Sequence, residues 1–293
     1  MMTTREVAEY LRIKERKVYD LVRGKRIPCT RVTGKLLFPK NLIDQWMAEG
    51  TEFPGMTTAA MKQAPAIVAG SHDPLLDWSL RESGCQLAMM PGGSLDGLER
   101  LAAGDAMVCG MHVLDADTGA YNQAAVRETC RGLDVVLIEW AWREQGLVLA
   151  PGNPKGIASI ADLKTKKARV IGRQPEAGSH VLFAHLVAQA GLKMAELDVL
   201  DRPALNETDL GLAVQEGQAD AGLAVASVAK QYRLDFQPLH RERYDLLLRR
   251  RDYFEAPVQA LLAFAASDAF KAKAADMAGY DVSGLGGVVW NAP

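Results

Sequence analysis

At 293 residues, with 48% hydrophobic and 24% charged side chains, the chain exceeds the length at which one core keeps growing, so two domains are expected and disordered or fibrous classes are excluded. No apolar run reaches the ~18–20 residues of a membrane span, and the opening Met1-Met2-Thr3-Thr4-Arg5-Glu6-Val7 lacks the apolar stretch of a signal peptide, which places the protein in the cytoplasm and away from the membrane. The net charge of −2 hides an asymmetry: residues 1–50 carry eleven Lys+Arg against six Asp+Glu, a net of +5, which leaves −7 for the remainder and points to a short module that meets a polyanion.

The first fifty residues form the first expected domain. Thr4 suits the N-cap of a helix over 5–11 whose apolar face is Val7, Ala8 and Leu11. A second helix over 15–23 turns Val18, Leu21 and Val22 inward and Arg16, Lys17, Tyr19 and Asp20 outward, and Gly24 closes it. Two strand-like runs, 27–32 and 35–39, flank the Thr33-Gly34 turn as a wing, and Leu42, Ile43, Trp46 and Met47 give 40–49 a helical period. Two short helices with a tight turn make a helix-turn-helix. The stretches Thr3-Thr4-Arg5-Glu6-Val7-Ala8-Glu9-Tyr10-Leu11, Val18-Tyr19 and Gly24-Lys25-Arg26-Ile27-Pro28 resemble the excisionase-type, MerR-like winged-helix family. That resemblance implies a second helix in the major groove of double-stranded DNA, with Arg16, Lys17 and Tyr19 toward the bases and Arg31, Thr33 and Lys35 toward phosphates.

Residues 51–64, rich in Gly, Pro and Thr, read as a linker. From 65 to 293 short apolar strands alternate with amphipathic helices: strands near 66–70, 86–90, 105–111, 134–140, 168–172, 219–225, 236–239 and 244–248, and helices near 74–84, 94–103, 180–190, 208–215, 226–233 and 257–271. This α/β alternation predicts a mainly parallel sheet in two lobes, one of about 65–148 and 242–293, the other, inserted, of about 149–241. Three turns stand at corresponding strand ends: Gly70-Ser71-His72-Asp73-Pro74, Pro91-Gly92-Gly93-Ser94, and the run from Arg173 to Ser179-His180. Asp73 suits an N-cap and Pro74 the first helical position, whereas Ser94 and Ser179 are N-cap candidates whose hydroxyls could be shared with a ligand.

The stretches Gly70-Ser71-His72-Asp73-Pro74-Leu75-Leu76-Asp77, His112-Val113-Leu114-Asp115, Thr118-Gly119-Ala120-Tyr121-Asn122, Arg143-Glu144-Gln145-Gly146-Leu147 and Ala150-Pro151-Gly152-Asn153-Pro154-Lys155-Gly156 resemble the type II periplasmic-binding-protein-like domain fused to helix-turn-helix heads, which is similar to molybdate-binding proteins. The resemblance implies an interlobe cleft for a small effector, an oxyanion such as molybdate or tungstate first among candidates, contacted by Ser71, His72, Ser94, His112, Tyr121, Arg173, Ser179 and His180. Relatives carry a Gly-Ser-Gly-Thr-Arg-like stretch where this chain has Glu176-Ala177-Gly178-Ser179-His180, so their arginine is missing here, and Asp73, Asp77 and Asp96 stand near the anion sites. A small organic acid is the alternative ligand, and a carrier linked to molybdenum-cofactor supply the alternative role.

Cys29, Cys85, Cys109 and Cys130 form no CxxC or Cys/His cluster, so they read as reduced, mostly buried thiols, and His180 and His185 are spaced poorly for one helix face. Arg143-Glu144 and Tyr121-Asn122 line either the cleft or the lobe crossing, and Arg249-Arg250-Arg251 reads as a solvated or inter-subunit face. With no nucleotide loop, triad or paired-carboxylate motif, neither enzyme activity, cofactor nor metal is expected. The expected protein is a ligand-responsive one-component transcription regulator, acting as a homodimer or higher homo-oligomer because one short head offers little DNA surface.

Overall fold

The computed structural model describes residues 1–31, 34–50 and 63–293, and the chain divides into two compact units, Met1–Met61 and Lys62–Pro293. Thr33 and most of the expected linker lie outside the described residues.

The first unit holds α1 (Thr4–Tyr10), α2 (Glu15–Arg23) and α3 (Lys40–Glu49). Thr3, not Thr4, caps α1, because Glu6 stands three residues beyond it: Thr3 Oγ1 accepts from the Glu6 N–H at 3.3 Å and Glu6 Oε2 accepts from the Thr3 N–H at 2.7 Å, a reciprocal box. Among the described residues the expected wing runs are joined by the antiparallel bridge Thr30↔Leu37, and Phe38 also bridges Met2. Val7, Ala8, Val18, Ile27, Phe38 and Ile43 close a small core. The Tyr10 hydroxyl donates to Asp44 at 2.6 Å and Lys40 donates to the same carboxylate at 2.8 Å, which ties α1 to α3.

The second unit begins with β1 (Ile67–Gly70), α4 (Pro74–Glu82), β2 (Ala88–Pro91), α5 (Ser94–Ala102), β3 (Val108–Met111), α6 (Gln123–Thr129) and β4 (Val135–Leu149). It continues through α7 (Ile160–Thr165), β5 (Arg169–Ile171), α8 (Gly178–Gln189), β6 (Asp198–Val199), α9 (Glu207–Gln215), β7 (Ala221–Val225) and α10 (Ala226–Tyr232). It ends with β8 (Asp235–Arg249), α11 (Arg250–Tyr253), α12 (Ala256–Ala265), α13 (Asp268–Asp276), β9 (Tyr280–Asp281) and β10 (Val288–Asn291).

The strands run in the order β2-β1-β3-β8-β4-β7-β5-β6, with β9 and β10 also on β4. The expected parallel pairing holds at both flanks, where β1 joins β2 and β3, and β5 joins β6 and β7. It fails at the centre. There β4 and β8, 15 residues each, pair antiparallel along their whole length, and one ribbon serves both lobes: β3 pairs with the C-terminal part of β8, and β7 with the C-terminal part of β4. The expected breaks near 141–146 and 240–243 are not turns; their polar residues face one another in register, Arg143 opposite Glu242 and Gln145 opposite His240. Separate apolar clusters fill the lobes. Leu75, Leu76, Trp140, Tyr244 and Phe270 belong to one, and Leu147, Leu163, Val170, Leu182 and Leu223 to another. Trp140 meets Phe270 edge-on at 5.2 Å between ring centres.

Candidate functional site

The site grows from the C-terminal ends of β1, β3 and β5, where the chain leaves the sheet and helices begin. After β1, Ser71 is held by its N–H on the Gly110 carbonyl at 2.8 Å, and Asp73 caps α4 by accepting from the Leu76 N–H at 2.7 Å, with Pro74 in the first turn as expected. The second Asp73 oxygen accepts from Arg143 Nη1 at 2.9 Å and from the Tyr280 hydroxyl at 2.6 Å. One carboxylate therefore terminates a helix and joins a charge network.

Ser94 and Ser179 do not cap. Gly93 at φ 102° is the cap of α5 and Ala177 that of α8, so each serine stands inside its helix with its hydroxyl released from capping. Ser94 Oγ accepts from the His112 N–H at 3.2 Å and lies 3.0 Å from Ser71 Oγ. His112 Nε2 lies 3.1 Å from Ser71 Oγ, and its Nδ1 lies 2.7 Å from Glu242 Oε2. Ser71, Ser94, His112 and Ser179 are each at most 2% exposed.

The other lobe meets this group through the start of α8. A Cβ at Gly178 would lie 2.6 Å from the His112 carbonyl oxygen and 2.9 Å from Ser94 Oγ, so only glycine permits the approach. The Leu95 N–H donates across the seam to the Glu176 carbonyl at 3.1 Å. The N–H groups of Gly178 and Ser179 open the 12-residue α8 at its positive dipole end, while that of His180 donates to the Ala177 carbonyl at 3.0 Å. Among the described residues, Ser179 Oγ is buried without a partner.

Beneath the seam, Arg143 bridges Asp73 and Glu242, and its guanidinium lies 4.4 Å from the centre of the Tyr244 ring. Burial alone would lower its pKa, but Glu242 and Asp73 outweigh burial and hold it well above its ordinary value. Burial likewise pushes Glu242 upward, yet Arg143 and His112 overcome this and bring it down to about 2. Ser71, His112 and Glu242 have the connectivity of an acyl-transfer relay. However, Ser71 Oγ is shared with Ser94, and Glu242 also accepts from Arg143 and from Gln145 Nε2, the latter at 2.8 Å, so the set is built to hold hydroxyls in place.

The remaining expected ligand residues are dispersed. The Tyr121 hydroxyl lies 2.7 Å from His240 Nε2 near the ribbon. Arg173 is buried and donates to the Ala204 and Leu205 carbonyls and to Glu207 at 3.3 Å, so its charge is met within its own lobe; burial lowers its pKa. His180 Nδ1 lies 3.2 Å from the Arg173 carbonyl oxygen. His72, the chain neighbour of Ser71, lies on the wall of an interlobe cavity of about 440 Å³. In the first unit, Arg16, Lys17, Arg31, Lys35 and Tyr19 are exposed, and among the described residues Arg16 and Lys17 make no ion pair.

Residues 78–266 match the family model described as a PBP superfamily domain. The chain belongs to the PBP superfamily. Residues 1–51 match a helix-turn-helix domain model. Along almost its full length the chain is similar to "Uncharacterized protein YvgK" of Bacillus subtilis (strain 168), with 26% identity over 300 residues covering 98% of this chain and 97% of the relative. The PBP-superfamily unit has the fold of the periplasmic binding protein BugD, with a TM-score of 0.55 at 13% identity over 74% of this chain and 87% of that one. It also shares the fold of a putative phosphate ABC transporter substrate-binding protein from Clostridium perfringens, with a TM-score of 0.51 at 13% identity over 74% of this chain and 99% of that one. Molybdate-type recognition is not among these findings.

The sequence does not mark Gln145 and Glu242 as site residues, and it presents Asp73 as a cap and a carboxylate near the anion sites but not as the partner of Arg143 and Tyr280. The available signal was the row of polar residues interrupting apolar strands, which implies paired burial when the strands continue.

Proposed function

We propose that this chain is a ligand-responsive transcription regulator, in which the helix-turn-helix head binds promoter DNA and the PBP-superfamily unit binds a small anion between its lobes. The carrying observation is the seam where Ser71, Ser94 and His112 of one lobe meet Gly178 and the unpartnered Ser179 hydroxyl of the other. Hydroxyls and helix-terminal N–H groups recognise an oxyanion without a cation of their own, and Arg143 is already neutralised by two carboxylates. The effector is accordingly read as an oxyanion such as molybdate or tungstate, admitted when the lobes part and clamped when they close. The C. perfringens protein of the same fold carries bound phosphate. The role is binding rather than catalysis, in the cytoplasm where promoter DNA lies, with two or more heads per assembly reading repeated half-sites.

A thermal-shift series with molybdate, tungstate, sulfate and phosphate tests the effector, since a ligand at ~100 times its dissociation constant adds about 2.7 kcal/mol of stability. The expected result is a shift with molybdate or tungstate that Ser94→Ala and Ser179→Ala reduce, together with a change in promoter affinity. A shift that survives both substitutions would remove the seam from the reading.

A further inference from the structure

The serine seam is not the roomiest part of the cleft. The cavity of about 440 Å³ beside it lies in the size range of small-molecule pockets. A tetrahedral oxyanion would fill only a small part of it. Both lobes build its walls: His72 ahead of α4, Trp78 and Arg81 from α4 itself, Lys273 from α13, and Ser227 and Lys230 from α10. A molecule held here touches both lobes and favours their closed arrangement.

The chemistry of the lining selects the occupant. Ser227 is 4% exposed, and among the described residues its Oγ, although near the Tyr280 hydroxyl, has no partner at hydrogen-bond geometry; His72 Nδ1 is likewise buried and unpartnered there. Buried polar atoms without partners are uncommon in folded proteins, and two on one cavity wall mark where a ligand supplies the missing bonds. The charges are unequal. Arg81 is paired with Asp77 and Lys230 with Asp276, whereas among the described residues Lys273 is paired with no carboxylate and stands 5.6 Å from the centre of the Trp78 ring. Among the described residues the lining therefore offers one uncompensated cation, an aromatic face beside it, and two buried polar atoms.

We propose that this cavity is a second ligand site, distinct from the serine seam, and that it takes a small organic acid: a carboxylate at Lys273, an apolar body against Trp78, and a second polar group hydrogen-bonded by Ser227 and His72. Ser71, Ser94 and Ser179 take no part in its lining, so its contacts are separate from those of the seam.

Calorimetric titration of the full-length chain with malate, citrate and 4-hydroxybenzoate tests this. At least one of them binds, and its affinity falls about tenfold or more in Lys273→Gln and in Ser227→Ala, the loss expected for a hydrogen bond to a charged group. Ser227→Ala does not lower the Tm of the unliganded chain, because it removes a hydroxyl with no partner to lose; a merely structural serine would show the opposite. Absence of binding by all three acids overturns the proposal, as does equal affinity in wild type and Lys273→Gln. Molybdate binding and promoter affinity, measured on the same preparations, report on the seam and the head, so failure of the regulator reading is separable from failure of this one.

Discussion

Arg143 sits at the middle of the β4–β8 ribbon, 1% exposed, between the carboxylates of Asp73 and Glu242. A buried ion pair contributes little over an apolar substitute, but deleting one partner strands the others, at a cost of about 3–5 kcal/mol. Arg143→Leu is expected to lose that much in urea unfolding followed by tryptophan fluorescence. A loss below about 1 kcal/mol would mean that solvent reaches the network. Glu242 adds a pH signature. Its carboxyl titrates near 2 in the native chain against 4.5 ordinarily, so its stabilisation is complete above 4.5 and disappears as the pH falls toward 2. Glu242→Gln should flatten the stability profile between these limits, which acid titration of the fold followed by fluorescence measures. Asp73 was legible as a cap from its place before Pro74, yet its second role was not, because Arg143 and Tyr280 lie 70 and 207 residues away along the chain.

Among the elements, the helices were the most legible. The expected span of α2 agrees with Glu15–Arg23 because Val18 is inward and Lys14 and Gly24 bound it, and that of α3 agrees with Lys40–Glu49. Arg16 and Lys17 lie on the exposed side of α2, free of acidic partners among the described residues, and define the proposed DNA face. Arg16→Ala with Lys17→Ala is expected to weaken promoter binding by about 1–3 kcal/mol per lost base contact and to relax the preference for the promoter over unrelated DNA. An unchanged affinity in a filter-binding series from low to moderate salt would move the DNA face off α2. The strands β4 and β8 were the least legible elements. Glu144 and Arg241 resemble loop residues in sequence, and neither strand shows the alternation of a half-buried strand because each passes from one lobe to the other.

For the molecule as a whole, the seam controls how closely the lobes approach. Gly178 touches His112 and Ser94, and a Cβ at Gly93 would fall 2.6 Å from the Glu176 carbonyl oxygen, so backbone from both lobes meets without side chains between. Gly178→Ala inserts a methyl group into this contact and is expected to cost about 1–3 kcal/mol and to enlarge the radius of gyration in X-ray scattering. An unchanged radius with unchanged stability would show that the lobes absorb the methyl group without parting. Local information in the chain determined the two-part organisation, the basic head, the short helices and the three turns that carry Ser71, Ser94 and Ser179, because caps, apolar periods and charge act over a few residues. Only the tertiary structure decided that Ser94 and Ser179 leave their caps, that Arg173 is neutralised within its own lobe, that Arg143, Glu242 and His112 join Ser71 in one network, and that an interlobe cavity opens beside them. Those outcomes depend on contacts between residues far apart in the chain, where burial strengthens a charge pair and penalises every polar atom left unmatched.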